Sequence, residues 1–168
     1  ELISLEPDAV ADVFWVPGGR VHAIAAGCLL YEVQQNSNTT YRLHDWDRLG
    51  LDGQPRELHL EQGRQVIRWE DAEPVRMLSE RLPSASEGCV GERLLRCPYF
   101  SLERWTVEAG VSLAVEAQGH AVLFVVSGEW QLEDAVHPTL SSILFPQDTA
   151  VDGVAGANGA TVLLTRFD

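Results

Sequence analysis

The chain reads as an all-β protein with one short helix, and three observations lead there. From Tyr99 onward six runs rich in β-favouring residues, 99–107, 111–117, 121–126, 129–133, 140–145 and 160–166, are divided by Gly, Asn, Asp or Pro signals. Many short strands at such spacing favour a sandwich or jelly roll over a parallel α/β sheet. Nearer the N-terminus three further apolar runs are punctuated in the same way, and one segment, Glu57–Trp69, carries apolar residues at helical spacing.

Taken in order, Val13–Val16 is a short β-favouring run stopped by Pro17-Gly18-Gly19, and Val21–Ile24 begins a second. Cys28–Val33 is a third, bounded by Gly27 and by the polar turn Gln34–Thr40. The three are expected as strands of a half-barrel. Asp52-Gly53-Gln54-Pro55 predicts a loop. In the helical segment Leu60 and Ile67 lie at helical spacing, while Gly63 weakens the helix by about 1 kcal/mol relative to alanine. Residues 70–96 turn to Pro, Ser, Glu, Gly and Arg with little periodicity, which predicts a linker. The run Gly153–Gly159, GVAGANG, has no Gly-x-Gly-x-x-Gly leading into a helix and predicts a hairpin loop, not a phosphate cradle.

With 168 residues and 45% apolar content the chain is long enough for one well-buried core or two small ones. Its longest apolar runs, 23–31 and 121–126, fall well short of the roughly 20 residues that span a bilayer, and no charged-then-apolar leader opens the chain. A formal charge of −13 argues against nucleic acid or an anionic membrane as partner, since both need a basic footprint. A phosphate-bearing substrate would have to be met by locally focused cations. All 12 basic residues are arginine, a side chain that stays charged and grips phosphate or carboxylate with two donors. A coding bias against lysine gives the same composition. Cys28, Cys89 and Cys97 form no Cys-x-x-Cys pair and are odd in number, which predicts free thiols in a reducing cytoplasm.

Several motifs run in register through the first seventy residues. They are Pro17-Gly18-Gly19 with Val21-His22-Ala23, then Glu32, Gln34, Gln35, Asn36, Ser37, Asn38, Thr39, Thr40, Tyr41, Arg42, and Asp45 with Trp46. Asp52-Gly53, Pro55-Arg56-Glu57-Leu58-His59 follow. The ensemble resembles the C-terminal active-site block of the zinc-dependent type I mannose-6-phosphate isomerases in their short bacterial form. The family's Gln-x-His pair and Lys-Pro-Glu motif, which supply most of its zinc ligands, are not present. The resemblance therefore implies the C-terminal portion of a longer enzyme, or a chain that has lost its upstream half. Ser127-Gly128-Glu129 and Ile143-Leu144-Phe145-Pro146 resemble the punctuation of cupins, which are jelly-roll barrels, yet the His-x-His and later Glu of a metal-binding cupin are missing and His120 alone stands near that place. The expected organisation is part of a catalytic cupin over 1–69, a linker over 70–96 and a degenerate second cupin over 97–168.

The resemblance implies an aldose–ketose isomerase that interconverts mannose 6-phosphate and fructose 6-phosphate with one zinc. His22, on a strand after a tight glycine turn, would be a zinc ligand. A histidine on an apolar strand is otherwise a hydrogen-bonded core residue. One ligand cannot hold zinc, so the remaining ligands are expected upstream and the chain alone is expected to be inactive. The reaction moves a proton between adjacent carbons through an enediolate and needs a base, a cation for the developing oxygen charge and a grip on phosphate. Arg42 would steady that charge; its structural alternative is a salt bridge to Asp45 or Glu32. Glu32 is either an inward carboxylate of the proton-transfer site or a solvated strand residue. Asn38 replaces the aspartate of many family members, and an amide takes up no proton at neutral pH. His44 and His59 are expected as hydrogen-bonding or surface groups, and Asp45, Trp46, Trp69, Trp105 and Trp130 as packing and turn residues. The rival expectation is a non-catalytic cupin-like module that binds a sugar or packs on a partner. Oligomeric state is not legible in the residues.

Overall fold

A computed structural model describes residues 13–24, 26–71, 77–83 and 86–167. The chain divides into two compact units, Glu1–Arg76 and Met77–Asp168.

In the first unit the regular element is a helix, α1 (Leu60–Val66), shorter than the expected segment. Leu60 stays exposed, and the residue that α1 buries is Gly63. A Cβ there would collide with the Leu43 side chain, so the glycine that weakens the helix in isolation is the one that lets the preceding segment lie against it. The Pro17–Arg20 turn closes through Arg20 N–H donating to the Pro17 carbonyl at 3.1 Å, and it is tied to the end of α1 by Arg68 N–H donating to Gly19 at 3.0 Å. The Asp52–Pro55 loop is present as expected, closed by Gly50 N–H to the Gln54 carbonyl at 2.7 Å and an isolated bridge between Leu49 and Pro55.

The three expected strands at 13–16, 21–24 and 28–33 are not formed as ladders among the described residues, which corrects the half-barrel expectation. A strand is held by a hydrogen-bonded neighbour and by a layer that covers its apolar face. Phe14 stands in an isolated bridge and 13–16 is half-buried, whereas further on Leu29 is 85% exposed, and Ile24 and Leu30 are about half exposed.

The second unit is an eight-stranded antiparallel assembly: β1 (Glu80–Arg81), β2 (Cys89–Arg96), β3 (Ser101–Val107), β4 (Ser112–Ala117), β5 (His120–Leu132), β6 (Ala135–Pro138), β7 (Ser142–Phe145) and β8 (Thr149–Phe167). The path runs β1-β2-β3-β8-β5-β6, with β4 paired to the first part of β8 and β7 to the first part of β5. Strict alternation drives it. In β4, Leu113, Val115 and Ala117 are buried and Ser112, Ala114 and Glu116 exposed, the two-residue period of a half-buried strand. Ala121, Leu123 and Val125 of β5, Val162 and Leu164 of β8, Trp105 and Val107 of β3 and Phe145 of β7 join them in one core, so the sheet folds over on itself. The fold-over is assisted where β5 meets β8. Gly128 and Gly159 both have positive φ, 77° and 75°, and the register shifts on either side of Gly128. A Cβ at Gly128 would run into the Gly159 carbonyl, so only glycine allows this bend.

Two expectations for this unit differ from what is observed. Residues 70–96, expected as a linker, carry β1 and β2; of that stretch, 72–76 and 84–85 lie outside the described residues. The run 153–159, expected as a hairpin loop, is the middle of β8. Glycine serves packing there: Gly153 lies beneath the fully buried Trp130 indole, as Gly91 of β2 lies beneath Trp105, its cross-strand partner on β3. A bare backbone opposite a large flat ring is a complementary pair, not a broken strand.

Candidate functional site

The residues singled out from the sequence all belong to the first unit. After the Pro17–Arg20 turn the chain is pinned by Arg20, whose residue is 9% exposed. Its guanidinium grips Asp71 with two bonds of 2.5 and 2.6 Å and donates a third to the Trp15 carbonyl at 2.8 Å. The planar fork matches the carboxylate. Two residues on, the His22 ring is exposed, with Nδ1 3.1 Å from the Arg20 carbonyl. When Nδ1 donates there, Nε2 carries the lone pair, the arrangement common among metal-ligating imidazoles.

Arg42 is fixed at both backbone and side chain. Its N–H donates to His59 Nδ1 at 3.1 Å, its carbonyl accepts the His59 N–H at 2.8 Å, and its guanidinium Nη1 donates to the Glu57 carbonyl at 3.2 Å. His59 is thus the hydrogen-bonding group expected of it, at the N-cap of α1. Three guanidinium groups converge on the buried Asp45 carboxylate. Arg56 takes both oxygens, one at 2.7 Å and the other closer, while Arg42 and Arg48 stand at 3.7 and 4.0 Å. The hydrogen bonds from Arg56 hold the Asp45 carboxyl below its ordinary range, and the charges of Arg56, Arg42 and Arg48 add to this against the cost of burial. The same bonds raise Arg56. The local balance of three cations to one anion stands out in a chain of net charge −13. Arg48 also lies over the Trp46 ring, 5.2 Å from its centroid, and His44 meets that ring edge-on at 5.1 Å.

The turn that gathers these groups is unusual in composition. Trp46 and Asp47 have φ of 48° and 54°, and Arg48 N–H donates to the Asp45 carbonyl at 3.0 Å. Two successive left-handed residues make a type I′ turn, a geometry that favours Asn and Gly. A tryptophan there carries roughly 1–2 kcal/mol of backbone strain, offset by ion pairs that the turn makes possible.

Glu32 and Asn38 are exposed, and among the described residues neither makes a hydrogen bond or ion pair. No such bond joins His22, Glu32, Asn38 and Arg42 to one another. Among the described residues no group of three or more His, Cys, Asp or Glu is placed to hold a metal ion, so the zinc expected from the resemblance does not fit the described residues by themselves. The Arg42–Asp45 pairing is the structural alternative weighed from the sequence. Arg20–Asp71 and Arg56 went unsingled because partners 51 and 11 residues apart follow no local period; Arg48, three residues from Asp45, was within local reach and was missed, with the all-arginine composition as a further signal.

No family model matches the chain. Curated proteins do. It is 38% identical over 124 residues to the mannose-6-phosphate isomerase ManA of Bacillus subtilis, covering 72% of this chain and 37% of that protein. The chain is related by sequence to the mannose-6-phosphate isomerases. A mannose-6-phosphate isomerase of Streptococcus mutans is 30% identical over 131 residues, 78% of this chain and 40% of its own length, and the probable isomerase GmuF of Bacillus subtilis is 34% identical over 130 residues, 77% and 39%. The resemblance read from Pro17 to His59 therefore stands, and the chain spans about two fifths of the length of the curated relatives it matches. Among solved structures, a mannose 6-phosphate isomerase from Bacillus subtilis superposes with a TM-score of 0.62 at 22% identity, covering 78% of this chain and 41% of that one. That likeness bears on the fold alone, and the all-β class with one short helix expected from the sequence holds. Among the described residues no helix is long and apolar enough to cross a membrane.

Proposed function

We propose that the chain is the C-terminal portion of a cytoplasmic mannose-6-phosphate isomerase, an enzyme that interconverts mannose 6-phosphate and fructose 6-phosphate by proton transfer. The observation that carries this reading is the 38% identity with a protein of that name. In this reading the substrate is a small sugar phosphate, and neither nucleic acid nor membrane is a partner. Arg42 faces the oxygen that gains charge in the enediolate. Its support is rigidity: a guanidinium anchored through Glu57 and Asp45, on a backbone locked to His59, is already oriented when charge develops. Glu32 is a carboxylate neighbour of that site. Asn38, which takes up no proton, serves as a hydrogen-bonding neighbour.

Zinc dependence is part of the proposal, with His22 as one ligand through Nε2 and the rest supplied by upstream polypeptide. When bound, zinc would act as a Lewis acid toward substrate oxygen. The test uses a longer form of the enzyme with His22→Ala and Arg42→Ala, followed by elemental analysis and a coupled mannose 6-phosphate assay. The histidine change is expected to lower bound zinc. The arginine change is expected to leave zinc bound and depress turnover, because it removes charge stabilisation alone. Full zinc occupancy after His22→Ala would make His22 a structural residue, and unchanged turnover after Arg42→Ala would remove the arginine from the site.

A further inference from the structure

The segment that leads into α1 is wrapped around Arg42. Glu57 accepts the guanidinium Nη1 on its carbonyl at 3.2 Å, and two residues on His59 meets the Arg42 backbone twice: the His59 N–H donates to the Arg42 carbonyl at 2.8 Å, and His59 Nδ1 accepts the Arg42 N–H at 3.1 Å. An N-cap side chain ordinarily accepts a bond from the first turn of its own helix. His59 stands at the N-cap of α1 and makes no such bond. Its ring is turned to a residue 17 positions earlier, a use of the imidazole that the helix does not explain. The residue is partly buried, and its ring lies 6.0 Å from the Tyr41 ring between centroids. Because the bond on Nδ1 is an accepted one, the hydrogen of the ring sits on Nε2. Glu57 Oε2 stands 3.9 Å from Nε2, and its negative charge favours a hydrogen on that side.

We propose that His59 is a positioning residue for Arg42 and acts as the Nε2–H tautomer, its Nδ1 lone pair setting the direction of the arginine side chain. The positioning role rests on the isomerase role given to Arg42 above, whereas the tautomer does not. The Arg42 N–H belongs to the peptide plane before its Cα and the carbonyl to the plane after it, so His59 fixes both planes and with them the direction of the Cα–Cβ bond. The Glu57 carbonyl holds the other end of the same side chain. Root and tip are thus both set from residues 57–59, and the guanidinium meets the developing oxygen charge without first being ordered. A hydrogen moved to Nδ1 would point at the Arg42 N–H and free one plane to rotate. The acceptor, and not the ring as packing, is what the site needs from this position.

Nitrogen NMR of the imidazole in the whole 168-residue chain reads the tautomer, with Nε2–H expected, and amide hydrogen exchange reads the clasp. His59→Phe keeps a ring beside Tyr41 and removes the acceptor; exchange at the Arg42 N–H is expected to speed about tenfold or more. His59→Asn, whose Oδ1 takes the place of Nδ1, is expected to restore protection. In a longer form of the enzyme His59→Phe is expected to lower kcat about tenfold with KM and bound zinc little changed, and His59→Asn to recover most of the loss. An Nδ1–H tautomer would overturn the proposal, and this measurement decides the matter should His59→Phe fail to fold. So would unchanged exchange at Arg42, unchanged kcat in a folded His59→Phe, or kcat lost in His59→Asn while its Arg42 N–H is protected. Arg42→Ala keeps the two readings apart: unchanged turnover there removes Arg42 from the reaction while the tautomer and exchange results stand, and a costly Arg42→Ala beside a harmless His59→Phe sinks the positioning role alone.

Discussion

Replacing Gly91 by alanine tests the pairing of glycine with tryptophan that shapes the second unit. A Cβ at Gly91 would lie 2.5, 2.6 and 2.8 Å from Cζ3, Cη2 and Cε3 of Trp105, three atoms of one rigid ring. The ring has little room to yield: Trp105 is 7% exposed, and its N–H is held by Glu103 at 3.0 Å. Overpacking of this kind costs about 1–3 kcal/mol, against roughly 0.5–1 kcal/mol gained because alanine loses less backbone entropy than glycine in a strand. The net expectation is a loss of about 1–2 kcal/mol, seen as a fall of roughly 5–15 °C in the thermal midpoint of a unit of this size. Circular dichroism and denaturant titration of Gly91→Ala, Trp105→Leu and the double variant measure it. With the indole gone the sign reverses, and Gly91→Ala becomes neutral or stabilising. The same penalty in both backgrounds, or a wild-type background stabilised by alanine, would refute the steric reasoning.

The isolated 168-residue chain is expected to show no appreciable turnover in a metal-supplemented mannose 6-phosphate assay, since an open catalytic zinc site takes three protein ligands; robust turnover would mean the site is elsewhere. Asn38→Asp in a longer form is expected to change turnover within a few-fold, about 1 kcal/mol or less, and turnover measured across pH decides it, a hundredfold gain with a new ionisation showing that a carboxylate is needed there. Asp45 carries a pH signature. Its folded pKa is depressed, so the stability it contributes is present above its ordinary value of 3.8 and is lost as pH falls through the lower folded value. Acid titrations of Trp46 and Trp69 fluorescence in wild type and Asp45→Asn are expected to show a stability gap at neutral pH that closes in acid, and a gap that stays constant would contradict the arginine cluster as its cause.

The strands that were legible in the sequence are those with β-favouring runs between clear turn signals: β3, β4, β7, both expected runs of β5 (121–126 and 129–132) and the last part of β8. Elsewhere the signal was masked by residues with a second task. In β2, Gly91 makes room for Trp105 and Glu92 is bonded to Arg104 at 2.6 and 2.9 Å, so the run looks like a surface connection. Glu92 is drawn below its ordinary range, first by Arg104 and further by Ser79. In β8 the glycines at 153, 156 and 159 answer to Trp130, Glu129 and the Val107 carbonyl, none of them near in sequence. For the site, local motif order singled out His22 and Arg42, and the salt bridge weighed as the structural alternative for Arg42 is the contact formed, with Asp45. Motif order gave no access to Arg20–Asp71, because an ion pair across 51 residues is written in tertiary structure alone.

The strand order has a consequence for how the second unit is made. β8 is the last strand in sequence yet lies between β3 and β5, and it also pairs with β4. On the ribosome, β2 and β3 can zip together as soon as they emerge, whereas β3 and β5 have no shared partner until residues 149–167 are clear of the exit tunnel. Closure is thus a late, non-local event of the slow kind. Until then the nascent chain presents unpaired edges to chaperones and to other copies of itself. A nonsense mutation ahead of Thr149 would leave an open half-sheet with no means of closing, not a shortened barrel.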